Sequence, residues 1–233
     1  MQFRRSIWWI GLTWITLMVS GSRAKEPSTL EFEFQIAGEP LALNQSCYLP
    51  SVGDSVTLRK VALYLGQIHW TRKGKEIARW SNEHLLLDAA SPESLSIALP
   101  DHLRGKADSM VFWIGVDSTL QQQGAHGGTL DPMHGMYWTW KSGYIHVKIE
   151  GSSPQCPARK NRFAYHLGGY QAPHNSLRQV KLRVKQIGNT KILIHLDRFL
   201  NKEALRQHNQ VMSPGVKATQ MTDVLTQCFS LTP

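Results

Sequence analysis

L-E-F-E-F-Q-I at residues 30–36 and V-K-L-R-V-K at 180–185 alternate apolar and polar side chains at every step. That is the two-residue period of an extended strand with one face in a core and the other in water. Further β-type runs stand at 55–68, 84–88, 95–99, 110–116, 143–150, 162–167 and 191–196. The turn I-G-N-T-K at 187–191 reads as a hairpin joining the last two runs. Helix formers gather only late, over 198–208, with a second short helix over 216–229 after the break at Pro214-Gly215. Many short strands followed by one or two short C-terminal helices predict an all-β, antiparallel, sandwich-like single domain and not a parallel α/β sheet. No repeat, low-complexity tract or linker interrupts it.

The N-terminus has the three zones of an export signal: Arg4 and Arg5, an apolar run from Ile7 to Val19, and a small-residue site at Ser22-Arg23-Ala24. The expectation is a signal peptide over 1–24, a mature domain over 25–233 and a periplasmic location, with release or attachment at the outer surface also open. The apolar run is too short to span a bilayer comfortably, so no transmembrane span is expected in the mature chain. Removing Arg4, Arg5 and Arg23 lowers the formal charge from +9 to about +6. Nucleic acid, the usual partner of a basic chain, is scarce where an exported protein goes, so it is set aside. Cys47, Cys156 and Cys228 are the only cysteines, which in an oxidising compartment allows one disulfide and one leftover thiol. Cys47 with Cys156 is the preferred pair, because Cys228 lies close to the C-terminus; a thiolate copper ligand is the functional alternative.

The chemistry concentrates in residues 113–151, where three tryptophans, three histidines and two methionines stand among glycines. Imidazole and thioether are ligands that suit copper. No pair has the H-E-x-x-H or C-x-x-C spacing of a zinc site, and there is no C-x-x-C-H haem motif. Nor is there a nucleophile elbow, paired-carboxylate motif or phosphate loop to suggest an enzyme, although Asp117, Asp131 and His134 could serve one in a cleft.

Within this block G-V-D-S (115–118), L-D-P (130–132), G-M-Y-W-T-W-K-S-G-Y-I (135–145) and K-I-E-G (148–151) resemble the periplasmic copper-binding proteins of the MbnP family, relatives of the methanotroph surface proteins MopE and CorA. The resemblance continues in order at V-A-L-Y-L-G-Q-I (61–68), H-L-L-L-D (84–88), F-A-Y-H-L-G-G (163–169), I-H-L-D (194–197) and H-N-Q-V-M-S-P-G (208–215). It implies copper acquisition, storage or handover without turnover of a substrate. It also implies copper held by histidines together with kynurenine, made from tryptophan by a partner dihaem MauG/MbnH-like peroxidase. Carried over residue by residue, the histidines are His84 and His166. The tryptophan falls to Trp80, four positions before His84, with Trp70 as the alternative.

Each of these residues also has a plain structural reading. His84 and His166 could donate to backbone carbonyls, Trp138 and Trp140 could be core, and the aspartates of G-V-D-S and L-D-P could staple turns. His126 and His134, with Met133 and Met136, depart from the family pattern and suggest a second, weaker copper site in one glycine-rich loop; His208 and Met212 form a fainter pair. A rival reading is a metal-free interaction module that uses the aromatic-rich 133–146 segment.

Overall fold

The computed structural model describes residues 29–80, 84–99, 103, 106–139, 143–184 and 191–232. The leader, Trp140 and most of the I-G-N-T-K turn lie outside the described residues. In chain order the strands are β1 (Thr29–Ile36), β2 (Glu39–Pro40), β3 (Ser46–Leu49), β4 (Asp54–Arg72), β5 (Lys75–Arg79), β6 (His84–Asp88), β7 (Ser96–Ala98) and β8 (Ser109–Ile114). They continue with β9 (Tyr137–Trp138), β10 (Gly143–Ser152), β11 (Arg162–Gly168), β12 (Arg178–Arg183), β13 (Lys191–His195), β14 (Gln210–Val211) and β15 (Phe229–Leu231). Four short helices accompany them: α1 (Ser118–Gln122), α2 (Leu196–Phe199), α3 (Lys202–Gln207) and α4 (Val216–Thr226).

The strands form two sheets, as an all-β sandwich requires: β15-β13-β1-β2 with β7 on β1, and a larger sheet ordered β12-β8-β4-β10-β11-β14. Most pairs are antiparallel, but β1 runs parallel to β13 and β11 parallel to β14. Between the sheets lies the main core. Leu30, Phe32, Phe34 and Ile36 of β1 point into it, as their alternation predicts, opposite Leu63, Leu65, Trp70, Phe112 and Phe163. Full burial of each such side chain contributes about 1.5–3 kcal/mol relative to exposure.

The nineteen-residue β4 is the spine of the larger sheet. One of its edges carries β6 and β5; the other carries β10 along residues 57–63 and β8 along 65–71. Residues 61–65 are buried without alternation because both faces are covered. Val61, Leu63 and Leu65 face the main core, whereas Ala62 and Tyr64 face outward into a second cluster. The segment over 116–138 folds back across that outer face and closes the cluster with Val116, Leu130, Met136 and Trp138.

Three expectations are corrected. β12 pairs with β8, and β13 pairs with β1 and β15, so the last two predicted strands lie in different sheets and are not a hairpin. Ile192 and Ile194 are fully buried, so β13 contributes to the core from between two partners of the smaller sheet. The helix predicted over 198–208 is two: Leu200 is extended, and Asn201 caps α3 by accepting from the Ala204 N–H at 2.9 Å. No disulfide joins Cys47 to Cys156. All three thiols are free, and each donates to a backbone carbonyl: Cys47 to Val56, Cys156 to Arg162, Cys228 to Val224. Burial pushes the Cys228 thiol up to about 12, which keeps it protonated and a poor metal ligand. Among the described residues no helix is long and apolar enough to cross a membrane.

Candidate functional site

β8 and β10 share one edge of β4 and separate at Tyr64, where the Gly115 N–H donates to the Tyr64 carbonyl at 2.8 Å. Gly115 makes this departure with φ +112°, a conformation that a side chain resists. Into the gap comes His146, at the register shift between Ile145 and Val147 of β10. Its ring lies so close that a Cβ on Gly115 would stand 2.4 Å from Nδ1. On the far side of β4, His84 opens β6 opposite Gly66, and a Cβ there would be 3.0 Å from His84 Nε2 and 3.2 Å from the Gly115 carbonyl. The two glycines are thus a floor on which both imidazoles rest.

Asp117 stands at the edge of this floor. Its Oδ1 caps α1 by accepting from the N–H groups of Thr119 and Leu120 at 2.9 and 3.1 Å. Its Oδ2 lies 3.8 Å from His84 Nε2. The expected turn-stapling role of G-V-D-S is therefore real, and it leaves one carboxylate oxygen aimed at a histidine. Asp131 acts similarly, accepting from the Met133 N–H at 2.8 Å.

His146 is fully buried and held on both nitrogens. Gln121 Nε2 donates to the Val116 carbonyl and to His146 Nε2, both at 2.8 Å, while its Oε1 accepts from the Tyr144 N–H at 3.0 Å. With Nε2 accepting, Nδ1 carries the proton and donates to Ser176 Oγ at 3.1 Å. Burial, aided by the nearby His84, pushes His146 down to about 4, so at neutral pH it is an uncharged imidazole. The network ties α1, the start of β10 and the 169–176 loop to one ring.

His166 shares the outer face but not this place. It sits opposite Lys148, which is opposite Ala62, whereas His84 is opposite Gly66. The two histidines are three strands and four residues apart, on the order of 20 Å between Cα atoms. Their expected meeting at a single ion is not what the register builds. Instead His166 Nε2 pairs with Glu150 Oε1 at 2.7 Å, and burial holds its imidazole below the usual range.

The two predicted tryptophans face the wrong way. Trp70 is buried in the main core and Trp80 packs against it, on the side of the sheet opposite His84. Trp138 occupies the histidine face, its ring edge 2.7 Å from where a Cβ of Gly168 would be, with the Tyr144 carbonyl 2.6 Å from the same point. It is core, as its plain reading had it, but core of the outer cluster.

The predicted loop site does not converge either. His126 Nε2 is bonded to the Leu120 carbonyl and His134 Nε2 to that of Gly128, both at 3.0 Å, Met136 is buried in the outer cluster, and Met133 is 90% exposed. Among the described residues of the 133–146 segment, Met136, Trp138 and Tyr144 are buried against the sheet and Tyr137 is half-buried. His208 and Met212 line a cavity of about 510 Å³ near the start of α4. Among the described residues no three His, Cys, Asp or Glu side chains gather as a metal cage. Sequence reasoning missed His146 and the second role of Asp117. The parity of His146 with Lys148 and Glu150 on β10 was the available signal.

A family model described as MbnP matches residues 25–213. Among solved structures, "MbnP from Methylosinus trichosporium" superposes with a TM-score of 0.52 at 17% identity, covering 83% of this chain and 86% of that one; at that identity the likeness is one of fold. No curated protein matches.

Proposed function

We propose, from the premise that the chain belongs to the MbnP family, that it is an exported copper-binding protein serving acquisition, storage or handover of the metal. The observation that carries this reading is the spacing of His84 and Asp117. Donor atoms that each lie about 2.0–2.2 Å from one ion stand roughly 3–4 Å from each other. The 3.8 Å between His84 Nε2 and Asp117 Oδ2 falls in that interval. The 2.7 Å between His166 and Glu150 does not, and is a shared proton instead. His84 and Asp117 would hold the copper, with neutral His146 fixing the floor beside them. Copper would supply binding and redox chemistry at this place; the protein supplies an imidazole nitrogen and a carboxylate oxygen, an N,O donor pair of the kind that suits Cu(II).

Two tryptophans among the described residues lie on this face: Trp138, buried in the outer cluster, and Trp113, half-buried opposite Gly66 and across β4 from His84. Trp138, the buried one, replaces Trp80 and Trp70 as the residue we assign to oxidation. Conversion to kynurenine adds one oxygen and removes one carbon, leaving an aniline nitrogen and a ketone in place of the indole. A partner dihaem MauG/MbnH-like peroxidase would supply the oxidising equivalents. The test is metal analysis and peptide mass spectrometry of protein taken from its native envelope. Copper near one per chain and a mass gain of about 4 Da on the peptide containing Trp138 are expected; a metal-free chain with every tryptophan intact would refute both parts.

A further inference from the structure

Three tyrosines share the outer cluster with Trp138 and differ in what can happen to their protons. The rings of Tyr137 and Tyr144 meet edge to face with centroids 4.9 Å apart, and those of Tyr144 and Tyr64 at 5.9 Å. Tyr64 Oη donates to the Thr129 carbonyl at 3.1 Å and Tyr144 Oη to that of Leu130 at 3.0 Å, the latter oxygen also accepting from the His126 N–H. Burial raises both phenols above their ordinary range. A phenol gives up an electron readily only if its proton leaves as well, and a backbone carbonyl is too weak a base to take it. Tyr64 and Tyr144 are therefore poor resting places for an oxidising equivalent.

Tyr137 is different. It is half-buried and packs on the outer cluster, and among the described residues its hydroxyl has no hydrogen-bond partner and is not one of the buried polar atoms, so it is open to water. It adjoins Trp138 in β9, and its ring touches that of Tyr144, whose carbonyl lies beside the Trp138 ring. An indole radical is a stronger oxidant than a tyrosyl radical that has released its proton. Among the tyrosines of this cluster, Tyr137 therefore offers a hole on Trp138 the downhill route, outward.

We propose that Tyr137 is a redox outlet for Trp138, draining one-electron oxidising equivalents from the buried indole to the surface. A one-electron oxidant takes an electron from Trp138 and leaves the indole radical cation. Tyr137 then gives an electron to the indole and its phenol proton to water, which restores Trp138 and leaves a neutral tyrosyl radical. A diffusible reductant such as ascorbate returns a hydrogen atom to Tyr137. The outlet deepens the reading of Trp138 as the oxidisable residue of the site: it sets a threshold, so that stray oxidants are quenched and only repeated oxidation by a docked partner opens the ring.

The experiment is photo-oxidation of the full mature chain by tris(bipyridine)ruthenium(III) with ascorbate present, followed by peptide mass spectrometry. Tyr137→Phe is expected to accelerate loss of Trp138 several-fold, and Tyr48→Phe, at an exposed tyrosine on β3, to leave it unchanged. Near-UV circular dichroism checks that both variants fold. Freeze-quenched wild type should show a tyrosyl radical that Tyr137→Phe lacks. Equal rates of Trp138 loss in wild type and Tyr137→Phe would overturn the outlet, as would a tyrosyl signal that survives the substitution. Neither outcome depends on copper, so failure here is distinguishable from failure of the metal assignment.

Discussion

Lowering the pH should unfasten the ring that holds the floor of the site. An unfolded histidine titrates near 6.5, whereas His146 is pushed down to about 4 by burial. Between those values the unfolded chain binds a proton that the folded chain refuses, so stability is complete above about pH 6.5 and falls as the pH drops toward 4. From the two pKa values, the His146 contribution to this loss is about 0.8 kcal/mol at pH 6, about 2 at pH 5 and about 3 at pH 4. Protonation has a structural consequence as well: an imidazolium cannot accept from Gln121 Nε2, so the amide that binds Val116 and Tyr144 loses its third partner. The assay is urea unfolding of chelator-treated protein from pH 7.5 to 4.5, comparing wild type with His146→Leu. His166 and His195 are also held low by burial and bias both proteins in the same direction, so the difference isolates His146. The variant is expected to be less stable at pH 7.5 and to have a flatter pH profile. Parallel profiles would refute the reasoning, because they would mean that His146 is protonated alike in both states.

Three further outcomes are expected. Gly115→Ala places a Cβ 2.4 Å from His146 Nδ1 at φ +112°, and should cost more than about 2 kcal/mol in thermal or urea unfolding. Asp117→Asn keeps the Oδ1 acceptor that caps α1, so stability should change by less than about 1 kcal/mol while copper affinity, read by competition with a chromophoric chelator, falls. Thiol titration should find three reactive cysteines in denaturant and only the partly exposed Cys47 in the folded chain; a single reactive thiol in denaturant would show a disulfide.

The strands were legible from alternation where one face is wet and from an unbroken apolar run where both faces are covered. L-E-F-E-F-Q-I gave β1 to the residue at its C-terminal end, and H-L-L-L-D gave β6 at both ends. Connectivity was not legible, because alternation says which face is buried but not which neighbour pairs: β12 and β13 are close in sequence and belong to different sheets. The site shows the same limit. His84 and His166 were rightly placed on strands, yet their separation depends on the register of β4, β6, β10 and β11, which no local pattern encodes. Trp80 is near His84 along the chain and on the other face of the sheet in space, while Trp138 reaches that face only because the 116–138 segment folds back over it. Asp117 was read as a turn staple because its capping oxygen has a sequence signature; the other oxygen has none.

The measurement that bears most directly on the central claim is a Cu(II) competition titration of native mature protein, alongside His84→Ala and His166→Ala made singly. Loss of the tight site in His84→Ala with its retention in His166→Ala is the predicted result. Retention in His84→Ala, or loss in His166→Ala alone, would contradict the assignment of copper to the glycine-floored pair of His84 and Asp117.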